Sequence, residues 1–368
     1  MSHRVCLIAG IVFAAAWSNG SAATDNPEPF HVGESERLIH PNHPRNWRGA
    51  LTQGLRTTVW YPISLDIPET AHDIGIPGQP IFHGHPFAID AALSNTRERF
   101  PLLLMSHGTG GSAGSLDWLA SALAASGYVV VGVNHPGNNS LEPLTREGFK
   151  LWWERATDVS DALDGILEDP ALGRRIDRQR IGAVGFSLGG YTVMELAGAR
   201  TRVQRLEDFC ASPAADAICD PPEKRGIKNV ALALSAETAA SVTRGGDSYR
   251  DPRIRAVFAI APALGEAFDR ESFHDVHIPI AFLGGSADST VPVDTNIRRY
   301  ASFLPEAGIV LLPGASHYTF LDQCVTPAPD GMAFACQDNP GVDRNVIHAL
   351  TIERVRDFFS EVLHVNAS

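Results

Sequence analysis

From about residue 100 onward, short unbroken apolar runs alternate with stretches in which apolar positions recur every three or four residues. The runs at 101–106, 128–134 and 180–186 have no polar face, which is the pattern of strands buried on both sides. The spacing predicts helices over 116–125, through Ala156, Val159, Leu163, Ile166 and Leu167, and over 188–198. Further strands are expected at 254–261, 279–284 and 309–312. Val293, Ile297, Tyr300, Ala301 and Leu304 mark a helix between the last two, and a final amphipathic helix covers about 342–363. Strands of this kind alternating with helices predict an α/β protein, with a mostly parallel central sheet and helices on both faces.

The first hundred residues read differently. Residues 24–54 are rich in Pro, His and Asn and are expected to form an arm; 55–61 reads as a strand ended by Pro62. Pro68, Pro77, Pro80 and Pro86 stand among glycines in 63–99, which predicts a long irregular excursion. Residues 200–250 interrupt the later alternation and are expected to form a small cap over the active-site edge of one domain spanning 24–368. No internal repeat is visible.

Arg4 precedes an apolar stretch from Val5 to Trp17, too short to span a bilayer, and small residues follow it: Ser18, Gly20, Ser21, Ala22 and Ala23. This is the pattern of a secretory signal peptide over 1–23, cleaved after Ala22 or Ala23. No lipidation box accompanies it, so a secreted or periplasmic protein without stable membrane insertion is expected. Four cysteines then remain, Cys210, Cys219, Cys324 and Cys336. An even number in an oxidising compartment predicts two disulfides with three possible connectivities, and proximity favours Cys210–Cys219 and Cys324–Cys336. Metal ligation is the rival, but these cysteines form no Cys-x-x-Cys pair and have no His at ligand spacing.

Composition narrows the class further. With 44% hydrophobic and 20% charged residues, the chain of 368 residues is neither disordered nor a multi-span membrane protein. Its net charge of −12 is spread without a basic stripe, so nucleic acid and anionic lipid surfaces are not expected partners.

The candidate chemistry begins at Gly185-Phe186-Ser187-Leu188-Gly189. A Gly-x-Ser-x-Gly pentapeptide between a predicted strand and a predicted helix is the setting of a nucleophile on a sharp turn. A serine hydroxyl is a weak nucleophile and needs a base, itself oriented by an acid. Asp288 follows the strand at 279–284 and His317 follows the strand at 309–312, in the chain order Ser, Asp, His. The alternative for Asp288 is a turn carboxylate, because Ser289, Thr290 and Pro292 follow it; Asp322 is then the next acid to consider. His348 falls inside the last helix. Oxyanion donors are expected from the Leu188 amide and from the loop His107-Gly108-Thr109-Gly110-Gly111, with Thr109 the best candidate and His107 structural. The same loop has neither dinucleotide spacing nor a Walker lysine, so it does not read as a phosphate cradle.

Taken with Thr58-Val59-Trp60-Tyr61-Pro62, Ser106-His107-Gly108, Asn134-His135-Pro136-Gly137, Arg155-Ala156-Thr157-Asp158-Val159-Ser160 and His317-Tyr318-Thr319-Phe320-Leu321, these motifs resemble the α/β-hydrolase superfamily. Within it, the chain resembles secreted bacterial predicted dienelactone hydrolases related to plasma platelet-activating-factor acetylhydrolases. The resemblance implies an α/β-hydrolase fold and ester hydrolysis without metal or cofactor. It carries over the catalytic Ser187, Asp288 and His317 and the oxyanion donors Thr109 and Leu188. True dienelactone hydrolases use a cysteine nucleophile, whereas Ser187 stands here, which favours ordinary carboxylic esters. Short-acyl, small-molecule esters are the expected substrates. A polyester depolymerase or lipase and a serine peptidase or amidase are the alternatives.

Overall fold

A computed structural model describes residues 30–76, 78–223, 235–328 and 330–363. The expected signal peptide, 1–23, lies outside the described residues.

Eleven strands form among them: β1 His31–Ile39, β2 Leu55–Ile63, β3 Asp73–Ile76, β4 Gln79–His83, β5 Ala88–Ile89, β6 Phe100–Ser106, β7 Val129–Val133, β8 Ile176–Phe186, β9 Val257–Ile260, β10 Ile280–Gly285 and β11 Gly308–Leu312. Nine of them make one sheet in the order β11-β10-β9-β8-β6-β7-β2-β1-β5, and β3 and β4 form a separate hairpin. From β7 across to β11 every pairing is parallel; β2 runs antiparallel to both β7 and β1.

The parallel strands are apolar because both of their faces are covered. On one face lie α2 (Glu154–Glu168), α3 (Leu188–Ala197) and α6 (Ile297–Phe303), which contribute Val159, Leu163, Met194 and Tyr300 to the core. On the other lie α1 (Asp117–Ala125) and α7 (Arg344–Val362), which contribute Trp118, Leu119, Val355 and Phe359. Asp343 starts α7 by accepting a hydrogen bond from the Asn345 amide at 2.9 Å.

The N-terminal region departs from expectation. All of β1 falls inside the stretch expected to be an arm, and it pairs with β2 over its whole length, from His31 opposite Ile63 to Ile39 opposite Leu55. Its sequence, His-Val-Gly-Glu-Ser-Glu-Arg-Leu-Ile, is polar because it lies near the sheet edge, and its pairing depends on a strand distant in sequence. The excursion 63–99 is likewise less irregular than expected, since it holds the β3–β4 hairpin and β5. The helix before β11 is shorter than its apolar spacing predicts, beginning at Ile297.

Both disulfides adopt the pairing that proximity favours: Cys210–Cys219 with Cα atoms 5.5 Å apart and Cys324–Cys336 with 5.6 Å. The first ties α4 (Val203–Cys210) to a following turn; α5 (Ala236–Thr243) comes later in the same 200–250 segment. No helix of the described residues is long and apolar enough to cross a membrane.

Candidate active site

The loops that follow β6, β8, β10 and β11 at their carboxyl ends carry all the candidate groups, at the edge where open parallel sheets bind ligands. Ser187 stands between β8 and α3 with φ 56° and ψ −119°, a left-handed strained conformation for a residue with a side chain. The strain is held by neighbours. Its amide donates to the Ile260 carbonyl at 2.9 Å, and its own carbonyl accepts from Ala263 at 3.0 Å. Glycine is required on both sides of the turn. A Cβ on Gly185 would fall 2.1 Å from the Gly189 carbonyl oxygen, and one on Gly189 would fall 1.8 Å from that of Ser106.

The three residues expected to act together are brought together. The Ser187 hydroxyl donates to His317 Nε2 at 2.9 Å, and His317 Nδ1 donates to Asp288 Oδ2 at 2.7 Å. All three are buried. Asp288 does both things its sequence context allows. Oδ1 accepts from the Thr290 and Val291 amides at 3.0 and 2.7 Å, which fixes the carboxylate while Oδ2 faces the imidazole. Asp322 takes no part in this chain; its Oδ1 accepts from the Trp118 amide. Phe186 packs against the His317 ring, with centroids 4.8 Å apart.

Ser187 and His317 open onto a cleft of about 410 Å³ that Thr109 and Leu188 also line. Its walls are apolar, with Trp153, Leu206, Val242 and Val291 among them, and the Cys210–Cys219 disulfide forms part of one wall. Among the described residues, none of the excursion 63–99 lines it. A wider hollow of about 990 Å³ lies at the other end of β8, around Glu98, Asp177 and Gln179, and its described lining holds no hydroxyl nucleophile or imidazole.

In comparison with known proteins, residues 102–329, more than half of the chain, match the alpha/beta hydrolase family. The chain belongs to the alpha/beta hydrolase family. Its fold is that of the family, a mostly parallel sheet flanked by helices. Curated relatives match over shorter stretches. A lipase, "Lipase 1" of Moraxella sp. (strain TA144), is 33% identical over 94 residues, covering 25% of this chain and 26% of the relative. "Cutinase est2" of Thermobifida alba is 31% identical over 100 residues, covering 27% of this chain and 30% of the relative. The chain therefore spans less than a third of the length of either. The solved structure of a ferulic acid esterase from Streptomyces cinnamoneus aligns over 95% of this chain and 93% of its own, with TM-score 0.60 and 19% identity, a likeness of fold.

Beneath the 107–111 loop of this alpha/beta hydrolase lies a buried polar network that its motifs leave without a role. The Arg155 guanidinium, on α2, donates through Nη2 to the His107 carbonyl, through Nη1 to Asn138 Oδ1 at 3.1 Å and through Nε to Thr192 Oγ1 on α3 at 3.2 Å. Asn138 Oδ1 in turn accepts from the Gly110 amide at 3.0 Å. One planar cation thus fixes the loop carrying Thr109 against the helix carrying Leu188. Burial pushes the Arg155 guanidinium down to about 9, and Asp158 opposes that shift. Burial alone would raise Asp158, but Arg48 and Arg45 beside it hold the carboxylate well below its ordinary range. His135 bridges the two halves, donating from Nδ1 to Asp158 Oδ2 at 2.8 Å and accepting the Ser106 hydroxyl at Nε2 at 2.9 Å. Burial and Arg155 lower His135 to about 3. His107 is buried in the same network: Nδ1 donates to the Gly108 carbonyl and Nε2 accepts the His135 amide.

Proposed function

We propose that this protein is an exported carboxylic-ester hydrolase that works through an acyl-enzyme on Ser187. Ser187 attacks the ester carbonyl as His317 Nε2 takes its proton; Asp288 keeps the imidazole oriented and favours the imidazolium that forms. The Thr109 and Leu188 amides bind the developing oxyanion; as the first residue of α3, Leu188 has an N–H without a partner inside its own helix. The imidazolium protonates the leaving alcohol, and water repeats the sequence to release the acid. The observation that carries this reading is the unbroken chain of hydrogen bonds, 2.9 and 2.7 Å, from a strained serine to a buried carboxylate at the floor of a cleft.

A cleft of about 410 Å³ lies near the small end of ligand cavities, about 300–1,000 Å³, and supports small-molecule esters with short acyl chains. The apolar walls, together with relatives named as a lipase and a cutinase, support a second reading, hydrolysis of longer or polymeric esters. The motifs at 58–62 and 134–137 support a place beside the secreted dienelactone hydrolase and acetylhydrolase group. Export is supported by the pattern of residues 1–23 and by two disulfides.

Fluorophosphonate labelling of the wild type but not of Ser187→Ala, with hydrolysis reduced about 10⁶-fold, is the expected result; labelling at another serine overturns the assignment. Asp288→Asn is expected to lower turnover about 10⁴-fold. A panel of p-nitrophenyl esters is expected to give its highest kcat/KM between acetyl and butyryl and to exceed matched anilides. A maximum at ten carbons or more favours the lipase or depolymerase reading, and faster anilides favour a peptidase or amidase.

A further inference from the structure

Away from the cleft, one cluster of side chains has no part in ester chemistry. Asp117 opens α1, directly after the oxyanion loop and its following turn; Asp322 ends the loop that begins at His317; His85 belongs to the excursion after β4. Ligand-capable atoms of these three all lie within 4.8 Å of one another, and Asp117 shares a second such group with Glu34 and His72. We propose that this cluster is a structural binding site for a divalent cation of the zinc class, with His85 Nδ1, Asp117 Oδ2 and the Asp322 carboxylate as ligands and His72, which is grouped with Asp117, as a source of a fourth.

Geometry and ligand chemistry point the same way. Tetrahedral zinc with bonds of about 2.0–2.2 Å holds its ligand atoms about 3.3–3.6 Å apart. His85 Nδ1 lies 3.4 Å from Asp117 Oδ2 and 4.0 Å from Asp322 Oδ1, the first within that spacing and the second a few tenths of an ångström beyond it. Asp117 is held in place from behind: Trp60 Nε1 donates to its Oδ1 at 2.9 Å and Ser121 Oγ at 3.2 Å, while the His85 amide donates to Oδ2 at 2.6 Å. Carboxylate ligands of metals are oriented by outer donors of this kind. Two further atoms lack partners. Asp322, 1% exposed, presents Oδ2 with no donor among the described residues, and the buried His72 Nδ1 also has none. Buried carboxylates set against one another are costly without a neutralising cation. Imidazole combined with carboxylate selects a transition-series or zinc ion over calcium or magnesium, which take oxygen ligands.

Such an ion ties together three segments that sequence separates. The excursion already pairs with the tail of the His317 loop, the His83 amide donating to the Gln323 carbonyl at 2.8 Å and Val325 to Ile81 at 3.0 Å. A cation between His85, Asp117 and Asp322 fixes that pairing to the start of α1, and so braces the loops bearing His317 and Thr109 from outside the cleft.

The test is zinc chloride titrated into the full-length, chelator-treated protein, followed by calorimetry, bound-metal analysis and thermal unfolding. The expected result is one equivalent of zinc per chain and a rise in Tm that saturates with it, with calcium chloride giving no such rise. His85→Ala, at a half-exposed position outside the cleft, is expected to weaken zinc binding by at least about tenfold, and Asp322→Asn to do the same. Loss of a ligand should cost no less than loss of an outer partner, about 10–100-fold. Absence of zinc binding, a Tm rise with calcium alone, or wild-type affinity in both variants overturns the proposal. These readouts stand apart from ester turnover.

Discussion

Glu195 faces inward from α3, the helix that follows Ser187. Thr201 Oγ1 donates to its Oε1 at 2.8 Å, and Tyr191 OH sits 2.6 Å from that same hydroxyl oxygen. Burial raises the Glu195 carboxyl from 4.5 to about 8. The unfolded chain releases this proton near the lower value and the folded chain keeps it to the higher one. Between them the folded state binds more protons, so this group's contribution to stability falls as pH rises. Glu195→Gln removes the penalty. Its Tm is expected to match the wild type near pH 5 and to exceed it by a growing margin toward pH 8; a margin independent of pH contradicts the assignment. That Ser187, Asp288 and His317 meet was legible at this scale, because a serine between two glycines and residues just past strand ends are local features. Arg155 was not, since an arginine in an amphipathic helix rich in charged residues carries no mark of the carbonyl, amide and hydroxyl it meets.

The parallel strands and their helices were legible because burial on both faces leaves no polar position to obscure the pattern. β1 was not, for the opposite reason: near an edge, with polar side chains toward water, it becomes a strand only through its ladder with β2. The Cys210–Cys219 bridge belongs to this scale, because it fixes α4 to the wall of the cleft. Closing loops of 9 and 12 residues, the two disulfides contribute roughly 3 kcal/mol each by the chain-entropy account. Reduction is therefore expected to lower Tm and, since Cys210 and Cys219 line the cleft, to raise KM for esters more than it lowers kcat. An unchanged KM after verified reduction separates α4 from substrate binding.

For the molecule as a whole, the sharpest pH dependence comes from imidazoles buried neutral beneath the active-site edge. His135 is lowered from 6.5 to about 3, and His107 lies well below 6.5, burial being the first cause for both and Arg155 the next. On unfolding each gains a proton below its ordinary value. The unfolded chain then binds more protons, and stability is lost as pH falls from about 6.5 toward 3. Carbon-labelled imidazole resonances of the folded protein are expected to show His107 and His135 unprotonated from pH 8 down to 5, with their contribution to stability falling only below about 6.5. Titration of either near 6.5 means that the network is open to solvent.

Sequence by itself determined the alternation of buried strands and helices, the serine on its glycine-flanked turn, and the order in which acid and base follow it. Those are local demands: periodicity, backbone room and chain order act over a few residues or one element. Tertiary structure alone decided which carboxylate faces His317, that the described residues of the excursion 63–99 stay out of the cleft, and that Arg155, His135 and Asp158 meet beneath the 107–111 loop. It alone also brought His85, Asp117 and Asp322 to one point. Those outcomes depend on side chains from segments far apart in the chain, and their distances are set only when the sheet has brought its carboxyl-end loops together.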